Sequence, residues 1–111
     1  NVKDNYTIVN QEPFGPLVPI LTFKKFDEVI ERANNNELGL ASYIYTNDMK
    51  KANKASELME SGTVAVNTPV VAVAEAPFGG IKQTGYGREG GSMAIKDYLN
   101  IKYTHLGVHY D

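Results

Sequence analysis

Apolar and polar positions along this chain follow first one period and then another, and the changes mark out its elements. Leu17-Val18-Pro19-Ile20-Leu21-Thr22-Phe23 is a short, nearly continuous apolar run, the pattern of a strand covered on both faces. Pro19 has no N–H, which favours an edge position or the strand's beginning. Phe26, Val29, Ile30 and Ala33 then recur at i, i+3, i+4 and i+7, one stripe of an amphipathic helix. Asn34-Asn35-Asn36 ends that helix, because asparagine competes for backbone hydrogen bonds and tolerates left-handed geometry.

Leu40 to Tyr45 reads as a second strand, with Tyr43 and Tyr45 alternating against Ile44. Thr46-Asn47-Asp48 offers N-caps for a second helix, which presents Ala52, Ala55 and Met59 on one face and stops at Ser61-Gly62. Thr63-Val64-Ala65-Val66 is a third strand, rich in β-branched residues. The order strand, helix, strand, helix, strand predicts an α/β fold of βαβαβ units forming a parallel sheet with right-handed crossovers. After Asn67 the alternation stops. Residues 68–90 are dense in glycine and small residues, a stretch longer than a compact domain leaves structureless unless it serves a function. Met93 to Leu99 predicts a short helix with Ser92 as its cap, and Ile101 to Val108 a final strand.

Composition narrows this picture by exclusion. Apolar residues at 42% and charged residues at 22% fit a soluble globular chain and argue against disorder. A formal charge of -2 supplies no basic field for nucleic acid and no polybasic patch for an anionic membrane. Every apolar run falls far short of the ~20 residues a spanning helix requires. Neither a nucleic-acid nor a membrane partner is expected, and cytoplasmic residence is. The opening Asn1-Val2-Lys3-Asp4-Asn5-Tyr6 is polar, carries no signal segment, and reads as a boundary cut from a longer polypeptide. Zero cysteines rule out disulfides and cysteine-ligated metal. His105 and His109 lack carboxylate or thiolate company at ligand spacing, so they read as surface or strand histidines and no metal is expected.

Two segments carry candidate chemistry. Glu12-Pro13-Phe14-Gly15-Pro16 sets a carboxylate and an aromatic ring two residues apart, and in extended geometry such residues face the same side. A carboxylate accepts hydrogen bonds from paired sugar hydroxyls, and a ring packs on a heteroaromatic ring, so the pair suits a nicotinamide riboside. Taken alone, the same residues also read as a turn glutamate plus a core phenylalanine. Gly85-Tyr86-Gly87-Arg88-Glu89-Gly90 matches G-x-G-x-x-G, but the dinucleotide fingerprint needs a strand before it and a helix opening at its end. A long loop precedes it here, so its glycines read as a tight reversal with positive φ. Arg88 and Glu89 read as partners in structural ion pairs. Lys82 has no neighbour in sequence to lower its pKa, so a solvated or carbonyl-bonded role is expected of it rather than nucleophilic catalysis.

Four blocks stand in the order, and at about the separation, of the C-terminal part of the NAD(P)-dependent aldehyde dehydrogenase superfamily. Glu12-Pro13-Phe14-Gly15-Pro16 resembles its E-x-F-G-P segment, and Leu38-Gly39-Leu40-Ala41-Ser42 with Thr46 its G-L-(A/S) segment and following turn. Gly62-Thr63-Val64-Ala65-Val66-Asn67 resembles its G-x-V-x-(I/V)-N strand, and Pro77-Phe78-Gly79-Gly80-Ile81-Lys82 through Glu89 its P-F-G-G-x-K loop. Together these cover residues 6 to about 108. The resemblance implies that residues 1–99 are the C-terminal part of a catalytic domain and 100–111 an oligomerisation strand and tail. It implies NAD or NADP as cofactor, held through Glu12 on the nicotinamide ribose and Phe14 beside the ring. It implies a substrate tunnel walled by Val70, Val71, Ala72 and Phe78.

For the intact enzyme the resemblance implies a cysteine thiolate attacking an aldehyde, hydride transfer to NAD(P)+ and release of an acid by a glutamate-activated water. With no cysteine, this chain supplies cofactor contacts, tunnel wall and oligomer contacts, and is expected to be inactive alone. Its implied partners are the remainder of the parent enzyme, further copies of itself and a small aldehyde. The tail from Gly87 to Tyr103 looks most like the succinate-semialdehyde dehydrogenase branch, with Gly91 as an extra glycine. That branch tends to hold a serine in the tunnel loop where this chain has Ala72, which leaves the aldehyde undecided. Two rival readings are a stand-alone, non-enzymatic α/β assembly or binding module, and a glutamyl-phosphate or acyl-phosphate reductase. The E-P-F-G-P and P-F-G-G-I-K blocks argue against the second rival.

Overall fold

The computed structural model of the chain describes residues 2–108. Its elements, in order, are helix α1 (Thr7–Asn10), helix α2 (Phe26–Asn34), strands β1 (Leu38–Gly39) and β2 (Ala41–Ile44), helix α3 (Met49–Leu58), strands β3 (Thr63–Val66) and β4 (Ile81–Lys82), and a 3₁₀ helix at Ala94–Tyr98. α2 begins where predicted: the Glu28 carboxylate accepts from the backbone N–H groups of Lys24 and Lys25, satisfying donors that a helix start leaves orphaned. α3 begins at Asp48, whose side chain accepts from Lys50 N–H and Lys51 N–H at 3.0 and 3.2 Å.

β2 and β3 pair in parallel, with Ala41 opposite Thr63 and Ile44 opposite Val66, and α3 is the crossover between them. This is one βαβ unit, as the 3.6- and 2-residue periods demand. Among the described residues its buried core is three alanines, Ala52 and Ala55 from α3 and Ala65 from β3, which let helix and strands approach closely. β1 pairs antiparallel with β4, Leu38 opposite Lys82 and Gly39 opposite Ile81. Gly62 lets the later loop pass close beside the start of β3: a Cβ there would collide with the carbonyl oxygen of Gly79. The apolar stripe of α2 lines a groove of about 480 Å³ with Tyr43, Ile44, Ala55 and Met59.

Two predicted strands are not strands. Residues 17–23 pair with no strand among the described residues, so the first of the two expected βαβ units is not formed. Their backbone contacts are of another kind: Leu17 N–H donates to the Gly15 carbonyl, and the Thr22 carbonyl accepts from Arg32. Val18 is 81% exposed. An apolar run makes a strand only when its N–H and C=O groups enter a ladder, and those of residues 17–23 do not join the free edge of β2, although Pro19 and Phe23 line grooves beside it. Residues 101–108 likewise lie outside any ladder, with Ile101 fully exposed. The expected short helix is tighter than α, and its N-cap is Met93 rather than Ser92, with no side-chain capping bond.

The first residues are fastened to α2 by Arg32, which holds the Asp4 carboxylate through two hydrogen bonds of 3.0 and 2.6 Å and also reaches Glu28. The hydrogen bond to Asp4 pushes the guanidinium pKa above its ordinary value. Asn10 adds two bonds from its side-chain amide, to the carbonyls of Asp4 and Tyr6. Thus α1 and the segment that follows it start from a fixed point.

Candidate functional site

The chain leaves α1 through Gln11 in extended geometry and then folds sharply. Gly15 N–H donates to the Pro13 carbonyl at 2.9 Å, a γ-turn centred on Phe14. That turn breaks the extended register on which the pairing of Glu12 and Phe14 rests. Glu12 lines a groove of about 540 Å³ between α1 and the strands, whose other walls include Asn36, Ser42, Ser61 and Thr84. Phe14 points away, 96% exposed. The two residues are neighbours in the chain and do not share that groove.

Beyond Asn67 the loop is ordered by its own backbone. Phe78 and Glu89 exchange N–H···O bonds of 2.7 and 2.8 Å, an isolated antiparallel bridge. Gly91 N–H donates to the Ala74 carbonyl at 2.8 Å. Gly90 makes this fold-back possible: its φ is 73°, and a Cβ would meet the Ala76 oxygen at 2.6 Å. Arg88 holds the inner side, donating from Nη1 to the carbonyls of Gly80 and Gly87 and from its backbone N–H to the Asp97 carboxylate. Among the described residues neither Arg88 nor Glu89 enters the ion pairs expected of them, and Arg88 makes carbonyl bonds instead. No helix opens directly after Gly90; the 3₁₀ turn starts only at Ala94.

Phe78 is half-buried and lies between two depressions. One, of about 260 Å³, joins it to Ala72, Val73 and Gly90. The other, of about 400 Å³, joins it to Thr84, Arg88, Tyr98 and Leu40. The structure therefore brings Ala72 and Phe78 together, whereas Val70 and Val71 line neither depression. Leu40 and Thr84 also line the Glu12 groove, so the two candidate segments converge on a common wall.

The sequence reading assigned no contact to the polar groups in and beside this wall. Thr84 accepts from Gly39 N–H at 2.7 Å through Oγ1. The hydroxyl of Ser61 donates toward Ser42 at 2.9 Å. Asn34 was read only as a helix stop, yet its side-chain amide donates to the Leu58 carbonyl and accepts from Glu60 N–H. A polar residue at the last turn of an apolar-striped helix is the signal for such a bridge. Lys82 is bonded to carbonyls, as its surroundings in sequence suggested. Among the described residues no group of three or more His, Cys, Asp or Glu is placed to hold a metal. His105 contacts the Tyr103 hydroxyl at 3.1 Å, and His109 lies outside the described residues. Nor, among those residues, is any helix long and apolar enough to cross a membrane.

Comparison with known proteins places these features in context. A model of the aldehyde dehydrogenase family matches residues 1–104. A 3-sulfolactaldehyde dehydrogenase of Pseudomonas putida is 51% identical over 100 residues, covering 90% of this chain and 21% of that protein. The NADP(+) succinate-semialdehyde dehydrogenase of Escherichia coli K12 is 44% identical over 108 residues, covering 97% of this chain and 22% of that protein. Among solved structures, the NAD+ complex of an aldehyde dehydrogenase from Bacillus cereus superimposes with a TM-score of 0.88 at 45% identity, over 92% of this chain and 21% of that one. The chain spans about a fifth of the length of the curated relatives it matches.

Proposed function

Because the chain belongs to the aldehyde dehydrogenase family, we propose that it is the C-terminal part of an NAD(P)-dependent enzyme that oxidises an aldehyde to a carboxylic acid. The observation that carries this reading is the shared wall: Leu40 and Thr84 line both the groove at Glu12 and the depression at Phe78. A cofactor contact and a substrate wall must meet in a dehydrogenase, since hydride moves only between groups in contact.

The residues present fit a nicotinamide riboside one by one and not as a pair on one groove, since the γ-turn separates Glu12 from Phe14. Glu12 offers a carboxylate on a polar groove beside the hydroxyls of Ser42, Ser61 and Thr84, and Phe14 offers a free ring face. When bound, the nicotinamide supplies the hydride acceptor. Glu12 accepts the ribose hydroxyls, Phe14 covers one side of the ring, and Ala72 with Phe78 forms apolar wall that keeps water from the aldehyde. Val70 and Val71 extend that wall when the loop meets the rest of the enzyme. The nucleophilic thiol and the general base belong to the remainder of the polypeptide, and the isolated chain is inactive. The tail resembles the succinate-semialdehyde branch, but Ala72 offers no hydroxyl to a second carboxylate, so the substrate class is an aldehyde without further restriction. Residues 101–108, outside any ladder and exposed, suit strand addition to another copy.

The test is Glu12→Gln in the full-length enzyme. Removing a charged acceptor while keeping volume should cost about 1.5–3 kcal/mol of cofactor binding or hydride transfer, roughly tenfold to a hundredfold, with folding unchanged. Cofactor affinity and turnover both equal to the parent enzyme would refute the ribose contact.

A further inference from the structure

Lys82 has a backbone that a lysine does not favour. Its φ is 57°, one of two non-glycine residues in the left-handed region among those described. A residue needed only to turn the chain there would be glycine, which adopts that geometry freely. The lysine side chain must therefore supply something the turn does not.

Its ammonium has three N–H donors, and the structure gives it three acceptors. These are the carbonyl oxygens of Asn34 at 2.9 Å and Asn36 at 3.1 Å, and Glu60 Oε2 at 2.5 Å. Asn34 is the last residue of α2, where carbonyls lack helical partners and the helix dipole is negative. Glu60 follows the end of α3, and the side chain of Asn34 bridges to the same turn. One cation thus gathers the C-terminal ends of both helices onto β4. Lys82 lies four positions after Phe78, whose own backbone bonds run only to Glu89 within the loop. Gln83 N–H to the Glu37 carbonyl and Thr84 to Gly39 continue the same seam.

We propose that Lys82 is a positioning residue, whose ammonium pins the glycine-rich loop to the helix ends and thereby sets where Phe78 stands in the substrate wall. The pinning stands on these contacts alone; its effect on substrate rests on the dehydrogenase reading above. The experiment compares Lys82→Met, Lys82→Arg and Phe78→Ala in the full-length enzyme, by hydrogen exchange and steady-state kinetics. In Lys82→Met, amides of residues 68–81 should exchange at least tenfold faster while those of β2 and β3 keep their rates. The KM for aldehyde should rise severalfold with cofactor affinity unchanged, and Lys82→Arg should recover part of both effects. Unaltered exchange in residues 68–81 overturns the proposal whatever the kinetics show. Faster exchange with an unaltered aldehyde KM, where Phe78→Ala does raise it, overturns the positioning role. If Phe78→Ala leaves KM unchanged, the substrate-wall reading fails and the exchange arm still decides the pin. Should Lys82→Met fail to fold, Glu60→Gln, which weakens one of the three contacts, is read by the same exchange criterion.

Discussion

Asn67 shows how much one side chain can do at the rim of a small sheet. Its φ of 56° turns the chain off β3, while its amide accepts from Thr46 N–H and donates to the Thr46 carbonyl, both at 2.9 Å. The side chain thus copies one further rung of the parallel ladder after the backbone has left it. Asn67→Ala loses two hydrogen bonds of about 1 kcal/mol each and keeps a left-handed backbone that costs about 1–2 kcal/mol. Asn67→Gly loses the bonds without the backbone cost, so it should be the milder change by that last amount. Hydrogen exchange at residue 67, whose N–H donates to the Ile44 carbonyl at 2.8 Å and has that acceptor in either variant, reads the difference; equal losses there in the two variants would contradict this account. Other residue-scale features were partly legible in sequence. The spacing of Glu12 and Phe14 picked out the segment, but same-side geometry assumed an extended backbone, and the γ-turn between Pro13 and Gly15 removed it.

At the scale of elements, α3 offers a test through its cap. Hydrogen bonds from the Lys51 and Lys50 N–H groups hold the Asp48 carboxyl below its ordinary pKa. A lowered folded value means that the cap's contribution is complete above the unfolded pKa of about 3.9 and is lost as pH falls through the folded value. Amide shifts of Lys50 and Lys51 should therefore titrate with a midpoint below that of an unstructured aspartate, and Asp48→Asn should abolish the transition. A midpoint at or above the unstructured value would contradict the assignment. Elements that carry their own period and caps were legible: α2 and β3 lie where the sequence placed them, α3 starts at its cap but ends at Leu58, before Met59 and the expected stop at Ser61-Gly62, and β2 is shorter by a residue at each end. Those that depend on a partner were not. The runs 17–23 and 101–108 have strand composition but enter no ladder among the described residues, and β1 and β4, two residues each, are too short for any period to show.

The whole molecule does not close on itself. Its radius of gyration is 20.1 Å, against the ~13 Å expected of a compact domain of this length. Its surface is 9527 Å², against about 6,100 Å² for a compact monomer of this mass. Three alanines make a thin core, and Val18, Ile20, Ile101 and Leu106 stand exposed. Such a surface seeks cover. Light scattering on the isolated chain should show a mass that climbs with concentration, and a constant monomeric mass would count against this. Motif order carried the family resemblance, but no periodicity could reveal which faces would be left without a neighbour.

The pin at Lys82 joins groups 48 positions apart in the chain, whereas the β2–α3–β3 unit closes over short distances. Loop closure of that span carries an entropy that nearby contacts avoid, so such a join forms late and opens early. The segment that would face the aldehyde is then fastened to the helix ends later than the β2–α3–β3 unit closes, and until that join is made it is more open to proteases and chaperones than that unit.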